Sequence, residues 1–157
     1  MRRTALAARL LAVLVGGAVT GAASAATAVG FGPRVGLTGD PDQLHMGLTV
    51  CSADVAPQLR FVPSVDVGIG NDLVLLSGNF DFKYVFPTQS EWRPYMGGGP
   101  ALHFIRYDNY DWEDTEVGAG VFGGMQTATR SGAFFTELRL GLIDSPDLKF
   151  TVGWLFQ

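Results

Sequence analysis

Apolar and polar residues alternate one for one along most of the chain after residue 26. Over 73–86, Val74, Leu76, Phe80, Phe82, Tyr84 and Phe86 share one parity with Gly78. Ser77, Asn79, Asp81 and Lys83 share the other. Successive side chains of a strand point to opposite faces, so a period of two predicts a two-faced strand. Leu148, Phe150, Val152, Trp154 and Phe156 alternate with Lys149, Thr151 and Gly153 in the same way. Six further segments follow the rule with less contrast, near 29–38, 43–53, 57–69, 92–106, 115–126 and 133–143. No stretch of this region keeps a convincing helical period.

Turn formers separate the segments. They include Gly39-Asp40-Pro41-Asp42, Gly70-Asn71-Asp72 and Asp144-Ser145-Pro146-Asp147. Short connections predict antiparallel hairpins. Eight strands in simple order can close on themselves and leave no free edge. The expected fold is therefore all-β: an eight-stranded antiparallel up-and-down β-barrel. Pro33, Pro63 and Pro94 fall inside the expected strands and oppose it, because proline supplies no ladder N–H.

Alternation does not say which face is wet. A soluble exported ligand-binding barrel of the lipocalin type would turn its apolar parity inward; a transmembrane barrel inverts the two. Three features favour the membrane. The polar parity is thin, mostly Gly, Ser and Thr with one or two charges per strand, whereas a water-facing surface carries roughly a quarter to a third charged residues. Aromatic residues on the apolar parity gather near strand ends (Phe31, Phe82, Tyr84, Phe86, Trp92, Trp154 and Phe156), as in an interfacial girdle. Each strand has the roughly 10 residues needed to cross a bilayer when tilted.

The first 25 residues read differently. Arg2 and Arg3, the apolar run Leu10 to Val19, and Ala23-Ser24-Ala25 have the layout of a cleavable secretory signal peptide. The expected organisation is a signal over 1–25 and one barrel domain over 26–157. Removing Arg2, Arg3 and Arg9 with the signal leaves 8 of the 11 cations against 15 acids. Nucleic acid is a poor partner for so acidic a chain. The single cysteine, Cys51, excludes a disulfide framework, and it falls on the polar parity as a small buried thiol.

The charges now acquire a place. Arg34, Arg60, Lys83, Arg93, Arg139 and Lys149, with Asp66, Asp81, Glu116 and Glu137, lie on the parity expected to face the lumen. Unpaired buried charges are costly, so they are expected to form one network that plugs a lumen with room for side chains and hardly for solutes.

Taken together, the signal peptide, the eight amphipathic strands, the segment Tyr95-Met96-Gly97-Gly98-Gly99-Pro100 and the closing run Phe150 to Phe156 resemble the small outer-membrane β-barrel proteins, porin-like and OmpA/OmpX-like. The resemblance implies a bacterial outer-membrane location, with outer-membrane lipids as surroundings. It also implies a last strand read by the barrel-assembly machinery through Val152, Trp154 and Phe156, although Gln157 departs from the usual aromatic end. Both termini would then be periplasmic. The outer connections, at 39–42, 70–72, 107–114 and 144–147, are acidic. They lack the spacing and central Gly of a calcium-binding loop, so no metal or cofactor site is expected, and their surface partner is left unnamed. Arg106 sits on the lipid parity at the outer end of its strand, where it is expected to reach lipid phosphates.

Some barrels of this size modify lipid A, which requires a histidine base beside a serine near the membrane surface. His45 and His103 both fall on the lumen parity, and no motif pairs either with a serine. No catalytic residue is therefore expected. A structural or surface-interaction role is the leading reading, with the soluble carrier and the lipid A-modifying enzyme as alternatives.

Overall fold

The computed structural model describes residues 28–40, 42–70, 73–107 and 113–156. The expected signal peptide, most of the longest acidic connection and Gln157 lie outside them. Nine strands follow in order: β1 (Ala28–Gly39), β2 (Gln43–Ser52), β3 (Asp54–Ala56), β4 (Leu59–Gly70), β5 (Leu73–Val85), β6 (Trp92–Tyr107), β7 (Glu113–Thr129), β8 (Gly132–Ile143) and β9 (Leu148–Phe156). Every pairing is antiparallel. The sheet runs β2-β1-β9-β8-β7-β6-β5-β4-β3, and a β2–β4 pairing closes it. Strand β3 pairs only with the first residues of β4. The wall is therefore an eight-stranded closed barrel with a short hairpin extension.

Four prolines sit within this wall, each where one of its two ladders is already broken. Pro33 pairs with Leu48 of β2, while the β1–β9 ladder passes from Phe31 to Arg34. The β2–β4 ladder stops at Ser64, one residue short of Pro63. Pro100 falls in the gap of the β5–β6 ladder between Gly98 and Ala101. That ladder ends at Tyr95, beside Pro94, whose carbonyl instead accepts a hydrogen bond from the Phe86 N–H at 3.0 Å. A missing donor costs little where no partner is in register.

Polarity is inverted relative to a water-soluble barrel. Phe31, Leu37 and Val117 on the outer wall are more than 60% exposed, whereas Asp66 and Asp81 inside are 1% and 2% exposed. Phe31 of β1 pairs with Phe156 of β9, so the start of β1 and the end of β9 share one end of the barrel, here called the terminal end. The opposite end, where β1, β4, β6 and β8 finish and β2, β5, β7 and β9 begin, is here called the loop end. Outward aromatics pair around the terminal end: Phe31–Phe156, Phe61–Phe82, Tyr84–Phe86 and Trp92–Phe134, with ring centroids 5.2–6.3 Å apart. Among the described residues, the girdle foreseen near strand ends is densest at the terminal end.

Candidate functional site in the barrel interior

The interior is built in three layers along the barrel axis. The middle layer is ionic. Asp66 of β4 accepts hydrogen bonds from Arg34 Nε at 2.6 Å and Arg34 Nη2 at 2.5 Å, a fork-shaped pair across the lumen. Lys149 Nζ reaches the same carboxylate at 3.1 Å, and Asn79 Nδ2 at 3.3 Å. One acid therefore holds two cations and an amide. Arg139 pairs with Asp81, and its guanidinium lies 4.8 Å from the centre of the Phe122 ring. All of these side chains are buried. Pairing and desolvation work against each other in such a place, and the Arg139–Asp81 pair is the less complete of the two, since Arg139 Nε and Asp81 Oδ1 have no hydrogen-bond partner among the described residues.

Towards the terminal end the lumen turns apolar. Cys51, Val85, Tyr95, Phe122, Ala133, Phe135 and Leu155 form one buried cluster, with Val62 packed against it. Tyr95 joins the two layers. Its hydroxyl donates to Glu137 Oε2 at 3.3 Å or to the Thr136 carbonyl at 3.1 Å, and Lys83 Nζ sits 4.7 Å from its ring centre while donating to Gln126 Oε1 at 2.9 Å. Glycines on the facing strands make room for the rings. A Cβ at Gly124 would stand 2.6 Å from Tyr95 Cζ, and one at Gly97 would stand 2.5 Å from Phe122 Cζ.

Towards the loop end both histidines are buried in hydroxyl cradles. His45 is held by Thr38 at Nδ1 (2.9 Å) and Thr151 at Nε2 (3.0 Å). His103 is held by Ser77 at Nδ1 (2.9 Å) and Ser145 at Nε2 (3.0 Å). Ser145 belongs to the β8–β9 connection, which folds into the barrel mouth against two glycines. A Cβ at Gly118 would lie 2.5 Å from the Asp144 carbonyl, and one at Gly141 2.6 Å from the Ser145 carbonyl. The His103–Ser145 contact spans 42 residues, and no local motif announces it. A hydroxyl, not a carboxylate, orients the other ring nitrogen, unlike the acid of a nucleophilic triad.

Seven of the ten charges expected in the lumen, Arg34, Asp66, Asp81, Lys83, Glu137, Arg139 and Lys149, are buried, but they fall into separate groups and not the one network expected: Arg34–Asp66–Lys149, Arg139–Asp81, Glu137 with Tyr95, and Lys83 with Gln126. Three are placed elsewhere. Arg60 is half-buried near the terminal rim, where its Nε donates to Asp54 Oδ1 at 2.6 Å. Arg93, the second residue of β6, is exposed at that rim. Glu116 is half-buried at the loop end, opposite His103 in the ladder. Parity aims all three inward, but their height on the strand leaves them at an opening. Arg106 is exposed at the loop end of β6. Val152 and Trp154 are half-buried on the outer wall of β9, and Phe156 is exposed. The interior is not the apolar pocket that a lipocalin-like carrier requires.

A closed wall of eight antiparallel strands, apolar outside and ionic inside, defines the class: a transmembrane β-barrel with the fold of the small outer-membrane barrels. Several solved structures share it, the following two among them. Neisserial surface protein A (NspA) superposes with a TM-score of 0.65 at 18% identity, covering 81% of this chain and 94% of its own. The N-terminal β-barrel domain of Pseudomonas aeruginosa OprF does so with a TM-score of 0.62 at 18% identity, covering 81% and 92%. No protein-family model matches the chain, and no curated protein matches it in sequence.

Proposed function

We propose that the chain is exported by its first 25 residues and inserted in the bacterial outer membrane. There it serves as a closed, non-catalytic barrel with a structural or surface-interaction role. The observation that carries this reading is the inversion of polarity, with seven charged side chains buried in the lumen and a wall of exposed Phe, Leu and Val. Apolar surface of that extent is stable in lipid and a liability in water. The terminal end faces the periplasm and the acidic connections face outward. The assembly machinery reads Val152, Trp154 and Phe156, and Arg106 meets lipid phosphates.

The lumen does not conduct. The Arg34–Asp66–Lys149 and Arg139–Asp81 groups cross it, and the Tyr95, Phe122 and Phe135 rings fill it below. Membrane fractionation tests the location: the mature chain is expected in the detergent-dependent envelope fraction, with a gel mobility that changes on boiling. Release in plain buffer would refute the reading. Ser145 is expected to resist a fluorophosphonate probe, and stoichiometric labelling there would restore the enzyme alternative.

A further inference from the structure

The connection between β8 and β9, Asp144-Ser145-Pro146-Asp147, leaves the wall and turns into the lumen. The β8–β9 ladder ends at the Leu140–Leu148 pair, so Gly141, Leu142 and Ile143 have no ladder partner on β9. On the β7 side the register shifts between Ala119 and Gly120. Released from β9, the connection folds over Gly118 and Gly141, where a side chain would collide with its carbonyls. Ser145 Oγ then meets His103 Nε2 at 3.0 Å, and the Gly141 N–H donates to the Asp147 carbonyl at 3.1 Å. His103 is left only 3% exposed.

Strain, charge and shallow burial all work against this docked position. Asp144 holds a φ of 37°, in the left-handed region where a side chain is strained. It lines a cavity of about 280 Å³ together with Asp40 and Glu116, and no Lys or Arg is among the lining residues described. Like charges gathered in one place repel. Burial gives little in return, since Ser145 and Pro146 are half-buried and Asp144 and Asp147 are exposed. Against these stand the Ser145–His103 and Gly141–Asp147 hydrogen bonds. A segment with so few buried contacts belongs to the low-stability end of a structure, the part that opens first.

We propose that the 144–147 connection is a strap with two positions. Docked, it seals His103 and the loop end of the lumen. Released, it opens that end to solvent, while the ionic and apolar layers below stay closed. The Ser145–His103 contact is the latch. The repulsion of Asp144 by Asp40 and Glu116 is the force that drives release. Such a force is set by charge, so screening a carboxylate or removing its charge tightens the strap. The inference goes beyond the structural role proposed above and concerns the folded barrel alone, so it does not rest on where the barrel resides.

The test is carbethoxylation of the two histidines by diethylpyrocarbonate in the mature barrel folded in micelles, with the rate at each site read by mass spectrometry. His45, in its separate cradle of Thr38 and Thr151, is the internal control. In the unaltered protein both should react far more slowly than free imidazole. Gly141→Val, whose side chain would collide with the Ser145 carbonyl, should speed His103 roughly tenfold through overpacking against the strap and leave His45 unchanged. Glu116→Gln should slow His103 roughly twofold to fivefold, as expected for loss of one partly solvated charge contact. If Gly141→Val fails to fold, the Gly118→Cys, Ser145→Cys pair in a Cys51→Ser background gives the same reading within one protein: His103 should be protected while the two are bridged and react faster after reduction. Four results would each overturn the proposal. They are fast reaction of His103 in the unaltered protein, a rate that neither Gly141→Val nor reduction of the bridge changes, His45 and His103 rising together, and a faster rate in Glu116→Gln.

Discussion

Replacing Asp66 by alanine removes the one carboxylate that Arg34 and Lys149 share, and leaves both cations in a lumen where their side chains are only 3% and 4% exposed. Breaking a buried ion pair by removing one partner typically costs about 3–5 kcal/mol, because the remaining charge keeps its desolvation penalty without its attraction. Two cations depend on Asp66, and Asn79 also loses an acceptor. The expected loss therefore lies at or above the upper part of that range. The assay is reversible urea unfolding in lipid vesicles, read by tryptophan fluorescence and by heat-modifiable mobility. The companion variant, Arg34→Met with Asp66→Leu and Lys149→Met, removes all three charges together. Apolar replacement of a buried ionic group is often neutral or stabilising, so the triple variant should recover most of the stability lost by Asp66→Ala. A loss below about 1 kcal/mol for Asp66→Ala would mean that water solvates this layer. A triple variant less stable than the single one would mean that the charges do more than neutralise one another. Either result refutes the reasoning.

Four further outcomes follow from the same geometry. Gly124→Val should destabilise the barrel by at least about 1–3 kcal/mol through overpacking against the Thr136 carbonyl and the Tyr95 ring, and adding Tyr95→Ala should relieve only the ring's share in a double-mutant cycle. Arg139→Ala should cost about 3 kcal/mol or more as a broken buried pair, whereas Arg93→Ala at the exposed rim should stay within about 0.5 kcal/mol; both are read from unfolding midpoints. Arg106→Ala should leave refolding in neutral detergent intact and lower the anionic lipid that co-purifies, and equal lipid retention would remove the phosphate contact. In planar bilayers the unaltered barrel should show no steady conductance, and a Phe122→Ala, Phe135→Ala variant should show more frequent openings.

Much of the fold was legible because each strand faces two media. The 73–86 segment places Phe80, Phe82 and Tyr84 outward and Asn79, Asp81 and Lys83 inward, and the structure keeps that parity residue by residue. Depth was not legible. Parity names a face, not a height, so Arg60, Arg93 and Glu116 were aimed at the lumen without any sign that they stand at its rims. The apolar plug was missed for a related reason. Tyr95 shares the parity of Arg93, and Phe122, Phe135 and Leu155 share those of Glu116, Glu137 and Lys149, but large apolar side chains stand out of keeping with a parity of small and charged residues. The usable signal was the glycines Gly97, Gly124 and Gly153 on facing strands, since a lumen this narrow holds a ring only where a neighbour lacks a side chain. The prolines looked like obstacles because one strand shows only half of its hydrogen bonding. The gaps that accommodate them belong to neighbouring strands. The His103–Ser145 contact depends on how a connection folds back into the mouth, which periodicity does not encode.

The central claim is that the apolar parity faces lipid and the polar parity faces a closed interior. Spin labels placed one at a time at 79–83, in a Cys51→Ser background and in lipid vesicles, test it most directly by their collision with oxygen and with a water-soluble nickel complex. Labels at 80 and 82 should be open to oxygen and closed to nickel, while those at 79, 81 and 83 should be immobile and closed to both. Nickel access at 80 and 82, with oxygen-rich apolar surroundings at 79, 81 and 83, would turn the barrel inside out and contradict the account.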